Sequence, residues 1–321
     1  MSNRLYSQSV ELFNQRKLDK SLKNFKKLSK INPKNENIMN YLALNYIFLS
    51  QFNNATLVLK ELITLNNQNV GYYLNLSYCY ENMNDFEQAI NNYKFAIQNI
   101  PNEAQLHINL ASIYKYQRKF DEAENVLKKS LYLNSYKLFS TLAGIYADQN
   151  KFDQVMEFSK KALELNQSDF IALNNIAKVY MEEKNFEEAS KYLGKALHIE
   201  QNNFLIHLNL GTLYKNLNQL DKAKDHYNKS ISINPKAYDA YLYKSLIELS
   251  ENNFLDGWKN YEFRWFKQAE RISITKPKWD GKKLNQKIII WGEQGLGEQI
   301  LFTSILPELE HILIHSLHCT E

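Results

Sequence analysis

The phrase DFEQAI at residues 85–90 decides the fold: an aromatic, Phe86, stands three positions before a small residue, Ala89. Variants of it occur as KLDKSL (17–22), QFNNAT (51–56), KFDEAE (119–124), KFDQVM (151–156), NFEEAS (185–190), QLDKAK (219–224) and NFLDGW (253–258). The residues in the small position are Ser21, Ala55, Ala89, Ala123, Val155, Ala189, Ala223 and Gly257, at successive spacings of 34, 34, 34, 32, 34, 34 and 34. A second small register precedes it by twelve residues, at Ser9, Ala43, Ser77, Ala111, Ala143, Ala177, Gly211 and Ser245. Two helices that cross closely need small side chains at the crossing, because a larger one drives the axes apart. Tyr46, Tyr80, Tyr114, Tyr146, Tyr180 and Tyr214 follow the second register by three residues, one turn along the same helix face. Pro33, Pro101 and Pro235 fall at repeat boundaries, where helices must end. The reading is a pair of helices repeated about eight times.

Composition agrees with helices. Of 321 residues, 44% are hydrophobic, 23% charged and 13% aromatic, with 9 Gly and 5 Pro, too few for the turns of an all-β chain. The net charge of +4 comes from acids and bases interleaved along the chain, the pattern of solvated helix faces. No basic stripe stands out, so nucleic acid is not an expected partner. The two cysteines, Cys79 and Cys319, cannot form a disulfide framework, and Cys79 sits among apolar residues as a small hydrophobe. The start, MSNRLYSQSVELFNQ, lacks the apolar centre of a signal peptide. No apolar run approaches a bilayer-spanning length, and a cytoplasmic location is expected.

The two registers and their 34-residue period resemble the tetratricopeptide family over roughly the first 270 residues. The resemblance implies an all-α, right-handed α-α superhelical solenoid of about eight helix pairs, in units 2–35, 36–69, 70–103, 104–135, 136–169, 170–203, 204–237 and 238–270. The fourth unit is two residues short near Asn134–Lys137, which should disturb the superhelix there. No unit buries its apolar face alone, so each stacks on the next. In the family the first helices line the concave side, which accepts extended peptides, and position six of each unit faces that groove. Here position six is Ser7, Tyr41, Asn75, Asn109, Thr141, Asn175, Asn209 and Tyr243. A carboxamide offers a donor and an acceptor to a peptide backbone without reading its side chains. Asn75, Asn109, Asn175 and Asn209 resemble the asparagine ladder of O-linked N-acetylglucosamine transferases. Roughly one residue in eight of this chain is Asn, so capping and solvation of the groove weigh equally with ligand contact. Lys115, Lys178 and Lys215 on the first helices would favour an acidic peptide, against the plainer reading of solvated charges. His107 and His207, at position four, read as packing residues.

From Phe254 the text changes. Lys287-Ile288-Ile289-Ile290-Trp291 suits a buried strand, GEQGLGE follows, and Gln299–Leu309 reads as an amphipathic helix. Gly295 and Gly297 would form a tight turn at a helix N-terminus, an anion-accepting corner. The third glycine of a dinucleotide fingerprint is absent, since Ile300 stands there. GW-x-x-YEFRW (257–265), KPKWDG (276–281) and EQGLGE (293–298) resemble a junction in bacterial proteins that join tetratricopeptide arrays to a heptosyltransferase-like glycosyltransferase domain of two Rossmann-like lobes. The resemblance implies a linker at 271–286 and a truncated α/β, Rossmann-like fragment at 287–321, with a second strand beginning at His311–His315 and no regular continuation in SLHCTE. It makes Glu298, where relatives carry Asp, a candidate base. Complementing its helix's positive end is the alternative role. His311 and His315 are spaced for one helix face, and with His318 and Cys319 form a weak metal candidate; no metal or cofactor is expected.

The expected function is a peptide- or protein-binding scaffold, the substrate-recruiting part of a glycosyltransferase-like protein that is inactive as this chain. The rival is an active glycosyltransferase using a missing or separate second lobe. The abrupt end is the mark expected of a gene fragment.

Overall fold

A computed structural model of the chain describes residues 2–266, 288–292 and 314–319. The chain divides into two units, Met1–Lys267 and Gln268–Glu321. The first is helical throughout its described residues. Its first helices are α1 (Ser2–Asn14), α3 (Glu36–Phe48), α5 (Val70–Asn82), α7 (Ala104–Tyr116), α9 (Tyr136–Asp148), α11 (Phe170–Glu182), α13 (Phe204–Asn216) and α15 (Tyr238–Ser250). Each is followed by its partner: α2 (Leu18–Ile31), α4 (Phe52–Leu65), α6 (Phe86–Asn99), α8 (Phe120–Lys129), α10 (Phe152–Leu165), α12 (Phe186–Ile199), α14 (Leu220–Ile233) and α16 (Phe254–Tyr261).

All sixteen positions of the two small registers are buried. Where the register is not alanine, the reason is visible. Ser21 Oγ donates to the carbonyl of Ser9 across the crossing at 3.0 Å, and Ser77 Oγ donates to the Ala89 carbonyl at 3.4 Å. A side chain at Gly257 would meet Leu249 at 2.7 Å. Around the crossings Phe25, Tyr73, Tyr93 and Tyr227 lose nearly all contact with water, each burial contributing about 2 kcal/mol. Starts are set by side-chain caps: Asn35, Asn69, Asp85, Asp169, Asn185 and Asn203 accept from backbone amides of the first turn, satisfying donors that the helix itself leaves open.

Each first helix ends in the same way. Arg16, Ser50, Asn84, Arg118, Asn150, Lys184, Asn218 and Asn252 all have φ between 55° and 62°, reversing the chain into the second helix. That left-handed conformation costs an L-residue about 1–2 kcal/mol. Lys184→Gly is therefore expected to raise stability by about 0.5–1 kcal/mol, the relief being partly offset by the freer unfolded chain. Urea denaturation at neutral pH checks this, and an unchanged or lower midpoint would refute it.

In the short fourth unit the disturbance expected near Asn134–Lys137 begins earlier. The loss falls in the second helix: α8 has 10 residues where α6 and α10 have 14. It ends in a 3-10 turn, Leu131–Leu133, closed by Asn134 in the left-handed region. Removing two residues from a helix shifts every later side chain to another face, so a tighter turn absorbs the difference.

At the far end of this unit, α16 is only 8 residues long. The segment beyond it turns back on α15, where Phe263 stacks on Tyr241 at 3.9 Å between centroids and Trp258 meets Tyr261 edge-on. Much of the GW-x-x-YEFRW phrase thus closes the last repeat.

In the second unit, β1 (Ile288–Gly292) pairs in parallel with β2 (Ile314–Cys319), Ile288 opposite Ile314 and Gly292 opposite Cys319. The second strand, expected to begin at His311–His315, begins at Ile314. It runs to Cys319, so His315, expected to share a helix face with His311, belongs to a strand, as does His318. SLHC (316–319), part of the ending for which no regular continuation is expected from the sequence, lies within this strand, since backbone pairing does not require β-branched side chains. This two-stranded pair is the only regular structure among the described residues of the second unit. The linker at 271–286, Gly295, Gly297, Glu298, the helix at 299–309 and His311 lie outside them.

Candidate functional site

Successive first helices touch one another, α7 with α9, α9 with α11 and α11 with α13, whereas successive second helices make no comparable contact among the described residues. The side where neighbours approach is the inside of the curve, so the first helices line a concave groove. Position six follows this face, and its asparagines are held unequally. Asn75 is half-buried and borders a cleft. Asn109 accepts from Gln105 Nε2 at 2.7 Å and donates to the Tyr93 hydroxyl at 3.1 Å. Asn175 is buried and donates to the Ser140 carbonyl of the preceding unit at 3.1 Å. Asn209 donates to Asn174 Oδ1 at 2.8 Å. Three of the four thus already tie one helix to another.

The lysines are engaged too. Lys115 reaches Asp148 of the next unit at 3.1 Å, and Lys178 approaches the same carboxylate at 4.0 Å from the other side. The Lys215 ammonium lies 5.1 Å from the Tyr243 ring centroid. Asp148, which sequence reasoning passed over, thus sits between two of the three groove lysines.

Between α5 and α7 lies a cleft of about 660 Å³, lined by Leu74, Asn75, Tyr78, Glu81, Asn109 and Tyr116 among others. Tyr78 is 50% exposed and Tyr116 71%, far more than aromatic rings in a packed array require. Neighbouring rings hold each in place, Phe52 beside Tyr78 at 6.3 Å and Phe86 beside Tyr116 at 5.2 Å. Beneath them runs a one-way series of hydrogen bonds: Gln105 donates to Asn109, Asn109 to the Tyr93 hydroxyl, and that hydroxyl to Glu81 Oε1 at 3.3 Å. Burial pushes the Tyr93 phenol up to about 12. Burial likewise raises the Glu81 carboxyl above its ordinary value, opposed by the Tyr93 hydrogen bond. Each link strengthens the next in a low-dielectric setting. Position six pointed to Asn75 and Asn109, but Tyr78, Glu81 and Tyr116, at positions nine, twelve and thirteen, were missed.

Away from the groove, the histidines at position four pack as expected: His107 Nε2 meets the Pro101 carbonyl at 3.0 Å, and His207 Nε2 meets that of Gln201 at 3.1 Å. Cys79 is buried, its thiol pushed up to about 11 by desolvation, which makes it inert. Among the described residues no helix is long and apolar enough to cross a membrane.

Stacked helix pairs with a lined concave face define the class of α-solenoid repeat proteins. Matches to the tetratricopeptide repeat family cover residues 70–103, 104–137, 136–169, 171–203 and 204–237, more than half of the chain, and the protein belongs to that family. Solved structures share the fold: a tetratricopeptide repeat protein from Parabacteroides merdae (TM-score 0.63, 15% identity, 77% of this chain and 98% of that one), the APC/C hetero-tetramer Cut9–Hcn1 (0.58, 16%, 84% and 53%) and yeast Tom70 (0.56, 17%, 79% and 55%). A 62-residue segment is 36% identical to protein FlbA of Caulobacter vibrioides, covering 18% of this chain and 10% of that protein. The chain therefore spans about a tenth of that relative's length.

Proposed function

We propose that the first unit is a scaffold that binds an extended segment of another protein along its concave groove. The observation that carries this reading is the cleft between α5 and α7, where two exposed tyrosine rings flank half-buried polar groups. Aromatic side chains with a polar end are the usual anchors of protein interfaces. The test is selection from a random peptide display library on the full chain. Selected peptides should bind Asn75→Ala and Tyr116→Ala about tenfold more weakly or worse. Glu164→Ala, on the exposed side of α10, should leave affinity unchanged. Peptides that bind all three variants as they bind the parent would overturn the groove.

A finer reading makes this array the acceptor-recruiting part of a glycosyltransferase-like protein. In its favour is the parallel pairing of β1 with β2, since parallel strands belong to sheets of the α/β kind. The chain itself is expected to leave nucleotide sugars intact; hydrolysis or transfer above a buffer control would favour the rival reading of an active enzyme.

A further inference from the structure

We propose that the α5–α7 cleft is a subsite for one arginine side chain of the bound segment, its guanidinium lying against Tyr78 or Tyr116 and its fork meeting Glu81. The proposal rests on the groove being a binding surface and specifies which residue type it selects there.

The first support is charge. Among the described residues that line the cleft, Glu81 alone carries a charge, and the hydrogen bond its carboxylate receives comes from the neutral Tyr93 hydroxyl. Lys115, one residue before Tyr116, is drawn away to Asp148 at 3.1 Å. A half-buried carboxylate without a cation is an unusual expense in a folded chain, and a cation delivered by a ligand would offset it.

The second is preorganisation. The series from Gln105 through Asn109 and Tyr93 delivers one hydrogen bond to Glu81 Oε1 and fixes the carboxylate before any ligand arrives. No hydrogen bond within the described residues engages Oε2. A fork of parallel N–H donors can share Oε1 and take Oε2 at once.

The third is the walls. A planar guanidinium stacks on an aromatic face better than a compact ammonium. This chain already does so with its own arginines, Arg16 lying 4.5 Å from the Phe48 centroid and Arg118 5.4 Å from that of Phe120. Tyr78 and Tyr116 offer comparable rings with half or more of their surface open. An acidic segment would meet Glu81 as a like charge; an aliphatic one would leave the carboxylate desolvated and unpaired.

The experiment uses the same display selection on the full chain, followed by a double-mutant cycle. The selected peptides should share one arginine. Replacing it by glutamine should weaken binding about tenfold to the parent chain, and by less than twofold to Glu81→Gln. That variant keeps the acceptor for Tyr93, so its melting temperature should match the parent's. The parent's affinity should also fall with salt more steeply than that of Glu81→Gln. Peptides that lose affinity for Tyr116→Ala yet carry no shared arginine, or whose arginine is equally useful to Glu81→Gln, would overturn the subsite and leave the groove standing. Peptides indifferent to both Asn75→Ala and Tyr116→Ala would remove the groove and the subsite together.

Discussion

Replacing Gly211 with alanine is expected to destabilise the first unit by about 2 kcal/mol. A Cβ built at Gly211 stands 2.5 Å from Tyr227 Cε1, 2.6 Å from Cδ1 and 3.0 Å from Cζ. The ring it strikes cannot retreat easily: Tyr227 is fully buried, its hydroxyl lies 3.4 Å from Thr212 Oγ1, and the Tyr243 ring packs beside it at 6.0 Å. Two effects oppose each other. Alanine gains about 1 kcal/mol over glycine inside a helix. Overpacking a rigid, well-filled core costs about 1–3 kcal/mol, and more where backbone must move. Three contacts at or below 3.0 Å against one ring put this site at the costly end, and the loss wins. Guanidinium denaturation of Gly211→Ala measures it. The cause is separable, because Tyr227→Leu removes the obstruction: Gly211→Ala should cost far less in that background than in the parent. A single variant as stable as the parent would show that α13 and α14 can part without penalty, contrary to the crossing argument for the whole small register.

That argument marks what was legible in the sequence. Positions such as Ala89, Ser77 and Gly211 obey a backbone constraint, the distance between two helix axes, which acts alike in every repeat and so leaves a 34-residue period in the text. Groove chemistry is different. Whether Asn109 faces a ligand or a neighbour depends on Tyr93, sixteen residues earlier on the second helix of the preceding unit, and the fate of Asn175 depends on a carbonyl thirty-five residues earlier. Neither partner recurs at every repeat, so no period reveals it. Glu81 and Tyr116 occupy groove positions that vary from unit to unit, and attention to position six alone passed over them. The left-handed turn residues show a third case. They recur faithfully in the structure, yet Arg16, Ser50, Asn84 and Lys184 share no side-chain chemistry that would announce the conformation.

The pair His207 and His226 was equally hidden, and it sets the second large effect: stability should fall by about 2 kcal/mol as pH drops from 7 to 4.5. The two Nδ1 atoms are 3.0 Å apart. His207 Nε2 faces the carbonyl of Gln201 at 3.1 Å, and a carbonyl only accepts, so that nitrogen carries the proton. In neutral His207 Nδ1 is then the acceptor, and His226 Nδ1 must donate to it. A proton on His207 Nδ1 would set two N–H groups face to face. Burial first, and then the His207 and Lys229 charges, push His226 down to about 4, against a small upward pull from Asp225; burial also lowers His207. For a histidine whose folded value lies below its unfolded one, the unfolded chain binds more protons between the two. Stability is therefore complete above about 6.5 and is lost as pH falls through the window down to about 4. At about 1.4 kcal/mol per unit the shift bounds the effect near 3 kcal/mol, and solvent reaching the partly exposed ring lowers the expectation to about 2 kcal/mol. Other groups titrate in the same range, so the informative measurement is a difference. His226→Gln retains a donor toward His207 but cannot take up the proton. Urea midpoints at pH 7 and pH 4.5 should separate by about 2 kcal/mol less in His226→Gln than in the parent. Equal pH dependence in the two chains would mean that His226 titrates in the folded array as it does in the unfolded one, and the neutral pair would have to be abandoned.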